Sequence, residues 1–120
     1  MSLISGATLS SLAAQVRSLA VSAANVANLR SVNYEPQRVV QTSGPAGGVR
    51  AEAVPISPPS VLVYDPKNPA ADQDGLVTLP NVSLDEEFVV QLQAKLAYKA
   101  NLAALKAQDE ALGDLLDVVP

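Results

Sequence analysis

The sequence predicts a mainly α protein with a small β element: long N- and C-terminal helices pairing as an antiparallel coiled coil, joined by a Pro/Gly-rich, β-hairpin-bearing middle segment. Three observations predict it. Eight of the nine prolines fall between Pro36 and Pro80, leaving both ends free of helix breakers. Apolar residues near the N-terminus recur at alternating spacings of three and four. Near the C-terminal third, a capping signature opens a long proline-free run. The corresponding divisions are 1–30, 31–82 and 83–120.

The first helix is expected from about Ser5 to Asn28. Leu9, Leu12, Val16, Leu19, Ala23 and Val26 make its seam, a period suited to coiled-coil packing. Its other face carries Ser10, Ser11, Gln15, Ser18, Ser22 and Asn25, and Arg17 is its one charge. A helix facing bulk water ordinarily carries Glu and Lys, so this face is expected to be covered by another protein.

Between the helices, Arg38 to Thr42, Val49 to Val54 and Ser60 to Tyr64 read as strands, with a turn over Gly44 to Gly48. Pro55, Pro58 and Pro59 predict a stiff, extended connection after them. The last helix begins at a capping box, in which Ser83 accepts from the Glu86 amide and the Glu86 side chain reaches back to Ser83. Asp85, Glu86 and Glu87 suit the positive end of its dipole. Phe88, Leu92, Leu96, Tyr98, Leu102, Leu105, Leu112 and Leu116 then spread over more than one face. Such a helix expects several neighbours.

Composition removes most chemistry. The chain has no Cys and no His, which excludes thiol and imidazole nucleophile systems and the usual zinc ligands. Eight scattered basic residues against twelve acidic ones, with one Phe and three Tyr, argue against nucleic acid. Asp72 and Asp74 resemble part of a calcium loop, but Ala70 and Asn81 stand where ligands are needed, so a polar turn is expected. No catalytic residue, metal or cofactor is predicted. Ser, Gly and Thr interrupt the early apolar residues, and the first basic residue is Arg17, so no cleaved secretory signal is expected. Nor is a membrane span, since no apolar run is long enough.

Two blocks carry a family likeness. Val21 to Val40, VSAANVANLRSVNYEPQRVV, resembles the N-terminal signature of flagellar axial proteins, with Asn25 and Asn28 at its asparagine positions. The block from Tyr64 to Asn101 is similar to bacterial flagellar basal-body rod proteins, nearest those of the proximal rod. Its landmarks are Tyr64-Asp65-Pro66, Gly75, Pro80-Asn81, Glu86-Glu87 and Tyr98 to Asn101. The family's usual T-P-G after the first helix is replaced here by Arg30-Ser31-Val32-Asn33.

This resemblance implies a structural, non-enzymatic rod subunit that assembles axially through its terminal helices. The implied partners are other flagellar rod subunits, copies of itself and the flagellar type III export apparatus. The implied location is the basal-body rod in the periplasm, reached without a cleaved signal peptide. Another axial subunit of the rod or hook-basal region, or a small acidic export chaperone, are the alternative readings. The acidic tail of Asp109, Glu110, Asp114 and Asp117 is expected beside the positive end of the first helix and the chain's α-amino group.

Overall fold

A computed structural model describes residues 2–118 of the chain. Helix α1 spans Ser2–Ala27 and helix α2 spans Leu84–Val118. Between them lie four strands, β1 (Gln37–Ser43), β2 (Val49–Pro55), β3 (Ser60–Tyr64) and β4 (Leu76–Pro80). The strands form two separate antiparallel hairpins, β1 with β2 and β3 with β4. The second hairpin is an addition to the sequence reading, which lacked β4. Leu76 to Pro80 is five residues ending in proline, too short to show a period of its own, and only its pairing with β3 makes it a strand.

The capping at α2 is partly as expected. The Glu86 amide donates to Ser83 Oγ at 3.5 Å, a long contact, and the Glu87 amide to the Ser83 carbonyl at 2.9 Å. At the other end, α1 closes where Asn28 turns back on Ala24, its Nδ2 donating to the Ala24 carbonyl at 2.8 Å. Asn33 then takes a φ of 71°, a left-handed conformation that asparagine tolerates better than most residues. Where the family's T-P-G would stand, an asparagine therefore makes the reversal. The connection after β2 contains a cis peptide between Ser57 and Pro58.

The two helices run antiparallel. Asn25 bonds to Glu87 and Ser22 to Gln91, so three residues back along α1 match four residues forward along α2. The β1–β2 hairpin lies along α1: Gln37 is level with Asn25, Gln41 with Ser18, and Val49 with Ser10. Backbone contacts join α1 to α2, β1 and β2, whereas β3 and β4 touch no other named element among the described residues. The result is a slender body of 81 × 25 × 15 Å.

The hairpin approaches α1 closely at its turn. Gly48 has a φ of +82°, and a Cβ there would strike the Ser10 hydroxyl and press on the Ala7 backbone. That hydroxyl also receives the Val49 amide at 3.0 Å, so it has little room to move. Gly48→Ala combines a strained φ with this collision and should lower stability by about 1–3 kcal/mol, read from urea unfolding.

One sequence expectation is reversed by this packing. The Ser/Gln/Asn face of α1 is not left for another protein: Gln15, Ser18, Ser22 and Asn25 are buried within the chain. Hydroxyl and amide groups need partners when they leave water, and β1 and α2 supply them. The expected neighbour of the acidic tail, the α-amino group of Met1, lies outside the described residues.

Candidate functional site

The inner face of α2 follows its own spacing of four and three through Glu87, Gln91, Ala94, Tyr98, Asn101, Leu105, Gln108 and Leu112. All of these are buried or half-buried. Opposite them on α1 stand Ala7, Ser11, Ala14, Ser18, Ser22 and Asn25, again at spacings of three and four and again buried or half-buried. Small residues let the two backbones approach, and polar ones bond across the gap.

Asn25 is the centre of this seam. It is 1% exposed and makes every hydrogen bond its amide allows. Its Nδ2 donates to the Gln37 carbonyl at 2.7 Å and to Glu87 Oε1 at 3.1 Å. Its Oδ1 accepts from the Tyr34 hydroxyl at 2.9 Å and the Gln37 amide at 3.2 Å. One side chain thus ties α1 to α2, to β1 and to the loop between them. Alongside it, Ser22 Oγ donates to the Glu87 carbonyl at 3.2 Å and accepts from Gln91 Nε2 at 3.0 Å. Gln41 Nε2 donates to Ser18 Oγ at 3.0 Å, and Gln15 Nε2 to Gln41 Oε1 at 3.3 Å. No buried side-chain nitrogen or oxygen among the described residues lacks a partner.

Burial, reinforced by the negative charge of Glu87, raises the Tyr34 hydroxyl above its ordinary value of 10.0. A raised value means the fold favours the protonated phenol. Its contribution is complete below pH 10 and is lost as the pH climbs through the folded value. Wild type should therefore lose stability more steeply above pH 10 than Tyr34→Phe does, and alkaline denaturation curves of the two compare them directly.

With the polar seam inward, much of the apolar surface faces out. Of the seam read on α1, Leu9 and Val16 are 55% and 52% exposed and Ala23 is also exposed, while Leu12, Leu19 and Val26 are half-buried. On α2, Phe88, Leu92, Leu96 and Leu102 are exposed, and Tyr98, Leu105 and Leu112 are half-buried on the inner side. Large exposed apolar side chains thus recur along both helices.

The remaining motif residues have structural places. Asn28 accepts from Ser31 Oγ at 3.2 Å, and Asn101 Nδ2 donates to the Ala97 carbonyl at 2.8 Å. Tyr64 ends β3, 71% exposed, and its ring lies over Gly75, where a Cβ would come within 2.9 Å of it at a φ of +77°. Pro66 presses on the same spot. Asp65 and Gly75 join by a backbone bond of 2.8 Å across the base of the loop. Pro80 is buried, and Asn81 fastens the hairpin's exit by donating from Nδ2 to the Pro58 carbonyl and from its amide to Pro59. Glu86 is exposed at the helix start, whereas Glu87 is buried. Asp72 Oδ1 accepts the amides of Asp74 and Leu76, both at 2.9 Å, as a polar turn requires.

Sequence reasoning missed Ser22, Tyr34, Gln37 and Gln91 as a bonded group. A signal existed in the second set of three-and-four spacings, but it runs through polar and alanine positions that a search for apolar stripes passes over. No group of three or more potential metal ligands occurs among the described residues, and no helix there is long and apolar enough to cross a membrane.

Comparison with known proteins gives a consistent result. The family described as flagellar basal body rod FlgEFG protein C-terminal matches residues 73–118. The chain is 40% identical over 108 residues to the flagellar basal-body rod protein FlgC of Salmonella typhimurium, covering 80% of this chain and 81% of that protein. The namesake from Yersinia enterocolitica is 39% identical over the same shares. That of Buchnera aphidicola is 34% identical over 111 residues, covering 81% of this chain and 82% of the relative. This chain belongs to the family of the flagellar basal-body rod protein FlgC.

Proposed function

We propose that the chain is a structural subunit of the flagellar basal-body rod that pairs its two terminal helices through a polar seam and joins its neighbours through the apolar faces left outside. The observation that carries this reading is the inversion of the helix pair. Asn25, Ser22, Glu87 and Gln91 are inside, while Leu9, Val16, Phe88, Leu92 and Leu96 are outside. An isolated soluble protein ordinarily buries the second set and exposes the first. A subunit surrounded by copies and related subunits has reason to do the opposite.

On this reading residues 1–30 and 83–120 form the packing unit, the helices pack as a coiled coil within the assembly, and residues 31–82 brace it. The motif residues Asn25, Glu87 and Asn81 hold the subunit's own shape, and the outward apolar residues make the contacts between subunits. Export through the flagellar type III apparatus without signal cleavage, residence in the periplasmic part of the rod and the absence of catalysis follow from the same role.

The test is a deletion strain complemented with a tagged chain. Motility should return and the tag should co-purify with basal bodies washed free of soluble protein. A complementing chain that never enters basal bodies would sink the reading.

A further inference from the structure

Charge is sorted along the molecule. Six of the eight basic residues, Arg17, Arg38, Arg50, Lys95, Lys99 and Lys106, are exposed between the levels of Val90 and Lys106 on α2, accompanied there by the single carboxylate of Glu52. Their common level follows from the packing. The β1–β2 hairpin lies beside α1 between Ser10 and Asn25, and the antiparallel pairing sets Lys95 to Lys106 beside the central and early turns of α1. One end, where α2 begins beside the β3–β4 hairpin, is acidic. The other end is the last turns of α2, with Asp109, Glu110, Asp114 and Asp117 and no basic residue.

The final turns of α2 run beyond the described part of α1. At equal rise per residue, the pairing of Ser22 with Gln91 brings Ser2 level with roughly Glu110, so α2 continues about eight residues, some 12 Å, past the described part of α1. On it Leu115 and Leu116 are 63% and 74% exposed. Asp114 and Asp117 also stand near the negative end of the helix dipole, where each is unfavourable in isolation. A helix that breaks this local rule and displays leucines beside the charges is built for a surface that compensates both.

We propose that the distal end of α2, Asp109 to Asp117, docks on the basic middle of a second copy of this chain, with the two copies parallel and staggered along their long axes. The inference rests on the rod-subunit reading and adds its register. Copies laid side by side without a shift would set basic middle on basic middle and acidic end on acidic end. Sliding one by about sixteen helical residues, roughly 24 Å, brings the distal end of the first copy level with Lys95 and Lys99 of the second. The same shift brings Asp85 and Glu86 of the second copy between the levels of Lys99 and Lys106 of the first. A single displacement therefore makes two complementary contacts, and the exposed Leu9 and Val16 offer Leu115 and Leu116 an apolar surface beside Arg17. Because the two surfaces differ, the contact does not close on itself and can repeat along an axis.

Zero-length carbodiimide coupling tests the register on the unaltered chain. Equal amounts of isotope-labelled and unlabelled protein are mixed at high concentration and low salt, coupled, digested and analysed by mass spectrometry, so that mixed-label peptides report bonds between copies. Amide bonds are expected from Asp109, Glu110, Asp114 or Asp117 to Lys95 or Lys99, and from Asp85 or Glu86 to Lys99 or Lys106. Raising the salt from 50 to 500 mM should weaken the association at least tenfold. Asp109→Lys, Glu110→Lys, Asp114→Lys and Asp117→Lys combined should weaken it similarly at low salt, while helicity is retained because lysines suit the dipole at that end. Copies that fail to associate, or that couple only through other residues, overturn the proposal. Chain found in basal bodies while the four-lysine variant assembles normally discards the register and keeps the rod role. Absence of the chain from basal bodies discards the rod role, and the coupling pattern still judges the register.

Discussion

Asn25→Leu should unfold the junction of the subunit more severely than any other single change of similar size. Leucine nearly matches asparagine in volume, so the loss is chemical. The Tyr34 hydroxyl, both backbone groups of Gln37 and the Glu87 carboxylate would each lose a hydrogen bond inside the structure. Leaving one buried polar group unpaired costs about 1–3 kcal/mol, and a buried carboxylate costs more. A total of about 4–6 kcal/mol is expected, comparable to the whole stability of many small domains. Urea unfolding followed by circular dichroism measures it. Ser22→Ala, which removes a hydroxyl while Gln91 keeps access to water at its half-buried position, should cost only about 1 kcal/mol. Equal losses for the two variants would mean that the Asn25 network is not the keystone of the junction.

The second large effect is expected where the structure looks least perturbed. Leu92 and Leu96 are 56% and 58% exposed, so Leu92→Asp or Leu96→Asp should change the subunit's own stability by no more than about 0.5–1 kcal/mol. In an assembled rod, however, each would place a carboxylate in an apolar contact, at a cost of several kcal/mol per subunit repeated through the assembly. Cells carrying either variant should export the chain yet be non-motile, with basal bodies that lack it. Leu102→Asp belongs with these outward changes. Leu105→Asp does not, because its half-buried position on the inner side of α2 makes it a folding defect as well. Normal swimming with Leu92→Asp in the rod would refute the assignment of this face to assembly.

The long elements were legible because their signals are long. Proline confinement to the middle, the Ser83 cap and the turn at Gly44 to Gly48 each rest on local chemistry that tertiary packing did not overrule. The strand β4 was not legible, since five residues carry no period and its partner β3 lies across an eleven-residue loop. The facing of the helices was the hardest part. Hydrophobic patterning assigns the leucine stripe of α1 to the interior of its own chain, an inference that holds when a chain is its own solvent boundary. Here Leu9 and Val16 lie outside while Ser18, Ser22 and Asn25 lie inside, because the subunit is only one piece of the surface that must be dried. Asn25 and Glu87 are motif residues of the resemblance, and both sit at the bonded centre of the fold.

A body 81 Å long and 15 Å thick is scarcely more than two side-chain layers deep. Among its described residues the buried apolar side chains are Ala14, Val77 and Ala94, with Pro36 and Pro80. Heat capacity of unfolding follows the apolar area newly wetted, about 12–15 cal/mol/K per residue in compact domains. This subunit on its own should wet less, so its stability is expected to curve little with temperature and to change little on cooling. Once its outer faces are covered, that missing heat capacity is transferred to the assembly. The temperature dependence of its stability is then expected to belong to the assembled rod more than to the single subunit.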